Sequence, residues 1–200
     1  MTSIITGDII NSKETLPQAW LATLKLALNN FGNNPKQWEI YRGDSFQLEV
    51  PIQDALKAAF LIKAAIKQHK NLDVRLAIGI GKKTFSTPKI TESNGSAFVN
   101  SGECFETLKK TTLAIKSPYK SFDDQINIML ELAQLTTNYW TSTSANLVKT
   151  ALEHPQLNQK ALAKKLNKTQ GNISQGLKRA GYDELSKLLD YYKNQIQALC

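Results

Sequence analysis

Up to about residue 120 the hydrophobic positions come in short, often alternating runs. Beyond it they fall into helical stripes. Residues 2–9 are Ile-rich and predict a first strand, and residues 17–31 place Trp20, Leu21, Leu24, Leu28 and Phe31 at helical spacing. Residues 38–42 and 45–50 are two short strand-like runs separated by Gly43-Asp44, a hairpin signal. Pro51 suits the first turn of a helix reaching about residue 68, since its missing N–H costs nothing there. Val74, Leu76, Ile78 and Ile80 alternate with Arg75, Ala77 and Gly79, a strand with two unlike faces. After a polar loop (84–94), residues 95–110 predict a third helix and 112–116 a last strand. The order βαββαβ followed by αβ predicts a ferredoxin-like core with an extension over residues 1–120. The expected fold class is therefore α+β.

Residues 121–200 carry a different pattern. Phe122, Ile126, Met129, Leu130 and Ala133 form a stripe that Leu132, Leu135 and Tyr139 widen, which predicts a helix buried on more than one side. Leu185, Leu188, Leu189, Tyr192, Ile196 and Leu199 predict a last helix over residues 183–199. Between the two, residues 158–182 have the layout of a helix-turn-helix. Asn158 suits the N-cap of a first helix ending at Leu166, and Asn167 suits a left-handed turn. Thr169 suits the N-cap of a second helix whose Ile173, Leu177 and Ala180 face inward. Its outer side then presents Gln170, Asn172, Ser174, Gln175, Lys178 and Arg179, which together with Thr169 are the candidate DNA contacts. An ordinary helical hairpin is the alternative on pattern alone.

Charge separates those alternatives. From residue 141 to 182 the basic residues Lys149, Lys160, Lys164, Lys165, Lys168, Lys178 and Arg179 face a single acid, Glu153, while Asp and Glu flank the segment on both sides. A basic island of this kind suits a polyanion such as double-stranded DNA. The whole chain has a formal net charge of +8, and its basic residues are all Lys except Arg42, Arg75 and Arg179. Cys104 and Cys200 form no CxxC, and His69 and His154 lie far apart, so neither a disulfide framework nor a zinc site is expected. No run of apolar residues is long enough to span a membrane, and the first ten residues lack a basic leader pattern, so a cytoplasmic location is expected.

The predicted topology brings Asp8, at the end of the first strand, beside the hairpin that holds Asp44. Two carboxylates at one rim repel, and Mg²⁺ or Mn²⁺ is one way to stabilise both; TGD and RGDS are also ordinary turn sequences. Gly79-x-Gly81-Lys82-Lys83 lacks the phosphate-loop pattern and falls at the opposite rim, where the lysines suit a solvated turn. Cys104, with no His nearby in sequence, suits a core position.

The series TGDIINS (6–12), RGDSF (42–46), VRLAIGIG (74–81) and GSAFVNSG (95–102) resembles the catalytic palm of class III nucleotidyl cyclases and diguanylate cyclases. That resemblance implies metal binding at Asp8 and Asp44 and nucleotide binding at Asn100. The arginine expected four residues beyond the asparagine is replaced by Cys104, so the positive clamp on a transferring phosphoryl group is missing, with Arg75 as a partial substitute. The helix-turn-helix resembles that of bacterial transcription regulators, and nearly the full length resembles the SatD family. The expectation is a DNA-binding transcription regulator whose palm senses a nucleotide with Mg or Mn, with no catalytic residue assigned. A metal-dependent nucleotidyl cyclase or transferase, and a non-catalytic dimerisation scaffold, are the alternatives. A homodimer seam on the two long carboxyl-terminal helices stands beside the plainer packing of those helices around the helix-turn-helix.

Overall fold

Strands β1 (Thr2–Ile10), β2 (Trp38–Tyr41), β3 (Ser45–Val50), β4 (Asp73–Gly81) and β5 (Leu113–Lys116) form one mixed sheet in the computed structural model, which describes residues 1–199. The sheet order is β2-β3-β1-β4-β5. β1 is antiparallel to both neighbours, while β4 and β5 run parallel. With α1 (Pro17–Asn29) and α2 (Ala55–Ile66), the first four strands make the expected βαββαβ unit, and α3 (Ser96–Thr107) leads into β5. The α+β class read from the sequence is the one observed.

Alternation sorts the two faces of the sheet. Ile5, Ile9, Phe46, Leu48, Val74, Leu76, Ile78 and Ile80 face one way and join Trp20, Leu24 and Leu28 of α1 in the main core. α2 lies in the same core, and every residue from Ala55 to Ile66 except Lys57 is buried. A helix apolar on all sides needs cover on all sides. α2 receives it from the sheet and from later helices. Lys63, fully buried within it, donates to Asp73 at 2.8 Å and to Thr112 at 3.0 Å. Burial lowers its pKa to about 8 against the opposing pull of Asp73.

The other face is covered by α3. Gly79 makes this possible: a Cβ there would lie 2.2 Å from the backbone nitrogen of Ser101 and 2.3 Å from the carbonyl of Ala97. Strand and helix therefore meet backbone to backbone, and Thr6 Oγ1 and Ser101 Oγ share a hydrogen bond of 3.0 Å beneath the helix.

The carboxyl-terminal half is α4 (Lys120–Thr137), α5 (Ser142–Glu153), α6 (Gln159–Lys165), α7 (Gln170–Arg179) and α8 (Tyr182–Leu199). α4 closes the edge of the sheet: the Asn127 amide bonds both the N–H and the carbonyl of Ile115, and Gln134 does the same for Leu113. Strand-mimicking amides of this kind satisfy groups that a bare edge leaves unpaired. Ala145, Val148 and Leu152 of α5, and Leu185, Tyr192 and Ile196 of α8, belong to the same buried cluster as the sheet and α2. Tyr192 Oη also donates to the Ile52 carbonyl at 2.7 Å, ahead of α2.

Two expectations need correction here. α5 was not foreseen, although Thr141 caps it and its apolar residues are helically spaced; its two apolar faces blur a single stripe. Leu132, Leu135 and Tyr139 do not widen a buried stripe on α4 but are exposed. No helix among the described residues is long and apolar enough to cross a membrane.

Candidate nucleic-acid interface

Local sequence builds the turn between α6 and α7. Asn158 Oδ1 accepts from the Ala161 N–H at 3.0 Å and so starts α6. The helix ends in a Schellman arrangement, with Lys168 N–H bonding the Ala163 carbonyl at 2.9 Å and Asn167 N–H the Lys164 carbonyl at 3.3 Å. Asn167 occupies the left-handed position at φ 51°. Two residues on, Thr169 Oγ1 accepts from Asn172 N–H at 3.2 Å and starts α7. Both caps and the turn residue are those read from the sequence.

A small core then fixes how α7 is presented. Leu147 and Ala151 of α5, Leu162 and Ala163 of α6, and Ile173 and Leu177 of α7 form a separate buried cluster. Gly176 faces Leu147, and a Cβ there would meet Leu147 Cδ1 at 2.3 Å, so α5 and α7 cross closely. Trp140 Nε1 donates to the Ala180 carbonyl at 2.9 Å and ties the end of α7 to the end of α4. α5 thus has two roles, one face in the helix-turn-helix core and the other in the main core.

What this leaves outward is a polar surface. Thr169, Gln170, Asn172, Ser174, Gln175, Lys178 and Arg179 are all exposed. Thr169 is used as a cap; among the described residues, the other side chains in that set make no hydrogen bond or ion pair. Of the basic island, Lys149 pairs with Glu153 at 2.7 Å within α5, while Lys160, Lys164, Lys165 and Lys168 form no ion pair among the described residues. Gly171, in the first turn of α7, has no described residue outside its own helix backbone and chain neighbours within 4 Å of where its Cβ would sit.

The acidic rim is organised differently. Asp8 is in register with Ser45 on one side and Arg75 on the other, and Tyr41 pairs with Ser45, so these side chains form a row across the sheet. Arg75 grips Asp8 with both arms of its fork, Nε to Oδ1 at 2.9 Å and Nη2 to Oδ2 at 2.5 Å. Its guanidinium also lies 5.5 Å from the centre of the Phe105 ring on α3. The hydrogen bond to Asp8 raises the Arg75 pKa further above neutrality. Burial, with some help from Asp8 and against Arg42, raises the Tyr41 pKa. Asp44 is beside this row, its carbonyl accepting from Ile9 N–H at 3.2 Å, but its carboxylate accepts from Ser12 Oγ at 2.6 Å.

Asp8, Asp44 and Arg75 therefore meet at one rim, as the topology predicts, and each carboxylate there holds a partner from the protein. A divalent cation at Asp8 would compete with Arg75 for the carboxylate oxygens. No group of three or more His, Cys, Asp or Glu arranged to hold a metal occurs among the described residues. Asn100 lies elsewhere: its amide donates to the Ile80 carbonyl at 2.7 Å, five residues along β4 from Arg75, or about 17 Å at the usual strand rise. Arg75 and Asn100 are thus not brought into one site. Cys104 is buried and its thiol is pushed up to about 12, chiefly by burial, so it is inert at neutral pH. Lys83 is not free in a solvated turn but pairs with Glu49 at 2.6 Å. Tyr41 and Ser45 were missed as members of the rim; their register with Asp8 was the available signal.

No curated protein and no solved structure matches this chain. A recognisable relationship does extend over both the sheet and the helices that follow it: the sequence profile of the SatD family matches residues 3–198, and the chain belongs to that family.

Proposed function

We propose that this protein is a DNA-binding regulator that reads double-stranded DNA with α7. One observation carries the reading: the outer face of α7 is a row of exposed polar and basic side chains, unpartnered among the described residues, on a helix whose other side is buried through Ile173 and Leu177. Unpaired Gln and Asn amides can bond base edges in a major groove, while Lys178 and Arg179 suit phosphates. Gly171 supports the same reading. Packing within the chain does not require a glycine there, yet its missing side chain lets another backbone approach the start of the helix. Lys160, Lys164, Lys165 and Lys168 on and after α6 extend the basic surface around it.

Binding of fluorescent duplexes to the full chain tests the proposal. Affinity should fall steeply as salt rises, and Lys178→Ala should weaken binding across sequences and reduce the salt slope by about one. Gln175→Ala should instead change the preference among selected sites, by roughly 1–3 kcal/mol at the base it reads. No binding to a pool of random duplexes at low salt would sink the proposal.

A further inference from the structure

α4 has a second apolar face that nothing among the described residues covers. Ile128, Leu132, Leu135 and Tyr139 are 61%, 62%, 71% and 82% exposed. Their spacing of four, three and four residues forms a single stripe along the helix and just past its end. Large apolar side chains scattered singly over a surface need no explanation, but a stripe of four at coiled-coil spacing does.

The surroundings of the stripe point to its occupant. α4 and α8 form an antiparallel pair: Tyr119 Oη donates to the Leu199 carbonyl at 3.2 Å at one end, and Gly181 packs against Thr136 at the other. Between the two helices runs an apolar groove of about 960 Å³, lined by Met129, Leu132 and Ala133 of α4 and Leu188 and Tyr191 of α8. The outer edge of α4 is acidic, with Asp124 and Glu131 exposed, whereas Lys187 stands on the α8 side of the groove. Asp183, Glu184, Lys178 and Arg179 lie at the groove's end near α7.

We infer that the occupant is a second copy of this chain, docked through a two-fold axis so that two α4–α8 pairs complete a four-helix bundle. Each stripe fills the other copy's groove, and a two-fold rotation brings Glu131 at the outer edge of one α4 towards Lys187 on the α8 of the other copy. That is the self-complementarity an isologous interface needs. The area is also sufficient. Four side chains at these exposures leave roughly 450 Å² of apolar surface per copy, and both copies with the groove walls reach the lower end of the 1,200–2,000 Å² of stable interfaces. The inference does not rest on DNA binding, although such a dimer would present two α7 helices related by symmetry.

Sedimentation equilibrium of the full chain tests it. The wild type should be a dimer through the micromolar range. Leu135→Asp should weaken dimerisation about 100-fold or more with an unchanged circular dichroism spectrum, because the position is exposed in the single chain. Glu131→Lys should weaken it several-fold, and Lys187→Glu added to Glu131→Lys should restore it. A monomeric wild type would overturn the inference and leave the face to a different partner. A dimer indifferent to Leu135→Asp, or a charge swap without rescue, would overturn it as well.

Discussion

The rim of the sheet around Asp8 and the outer face of α7 are both dense in polar side chains, and they treat them in opposite ways. At the rim, Asp8 is held by Arg75, Asp44 by Ser12, and Phe105 of α3 stacks on the Arg75 guanidinium. Along α7 the amides and cations reach solvent without a partner among the described residues, while Ile173 and Leu177 behind them anchor the helix. A half-buried carboxylate without a counterion is costly, so folding itself selects its partner. An exposed Gln or Lys carries no such cost and stays available. Internal pairing commits the charges of the rim to one another, whereas the polar face of α7 stays exposed to solvent.

The comparison can be broken most severely at Gly79. Valine there would drive the backbone of α3 off β4, with an expected loss of about 3 kcal/mol or more in urea unfolding. A loss under about 1 kcal/mol would mean that α3 lifts easily and that the rim is an open site after all. Arg75→Ala comes next. It leaves Asp8, mostly shielded from solvent, without its partner, but Arg75 itself is 38% exposed and water can compensate in part. The expected cost is about 1–3 kcal/mol of stability, with DNA affinity per folded molecule unchanged. If DNA affinity fell instead, the rim would belong to the binding surface.

The double variant Lys178→Ala, Arg179→Ala reverses that pattern. Stability measured by thermal unfolding should stay within about 0.5 kcal/mol of the wild type, since neither side chain forms an ion pair among the described residues. A larger loss would show that α7 is held by its charged face as well as its apolar one. The smallest effect is expected at Gly171. Alanine should leave stability unchanged or raise it by up to about 1 kcal/mol, because the site is open and Ala favours a helix. The same change should weaken DNA binding several-fold; an unaltered affinity would remove Gly171 from the interface.

Legibility followed the range of the interactions concerned. Asn158, Asn167 and Thr169 act on backbone groups within a few residues, so their cap and turn roles could be read directly and the structure has them there. The alternation of Val74 to Ile80 likewise predicted which side chains enter the core. α5 was harder, because a helix that feeds two cores at once shows no single stripe. Arg75 was expected as a partial substitute for a missing positive clamp. Only the pairing register, which joins residue 75 to residue 8, shows that this charge is already committed.

By itself the sequence determined the α+β class, the order of elements apart from α5, the basic island and the two capped helices with their turn, because caps, periodicity and net charge are properties of local or summed chemistry. The tertiary structure alone decided that α3 seals the second face of the sheet, that Asn100 and Arg75 end at different rims, and that α5 joins the helix-turn-helix to the main core. It also decided that one side of α4 remains bare. Each of these depends on which distant surfaces meet, and that is set by packing and strand register across the whole chain, where a residue's pattern reports its tendency to be covered and not what covers it.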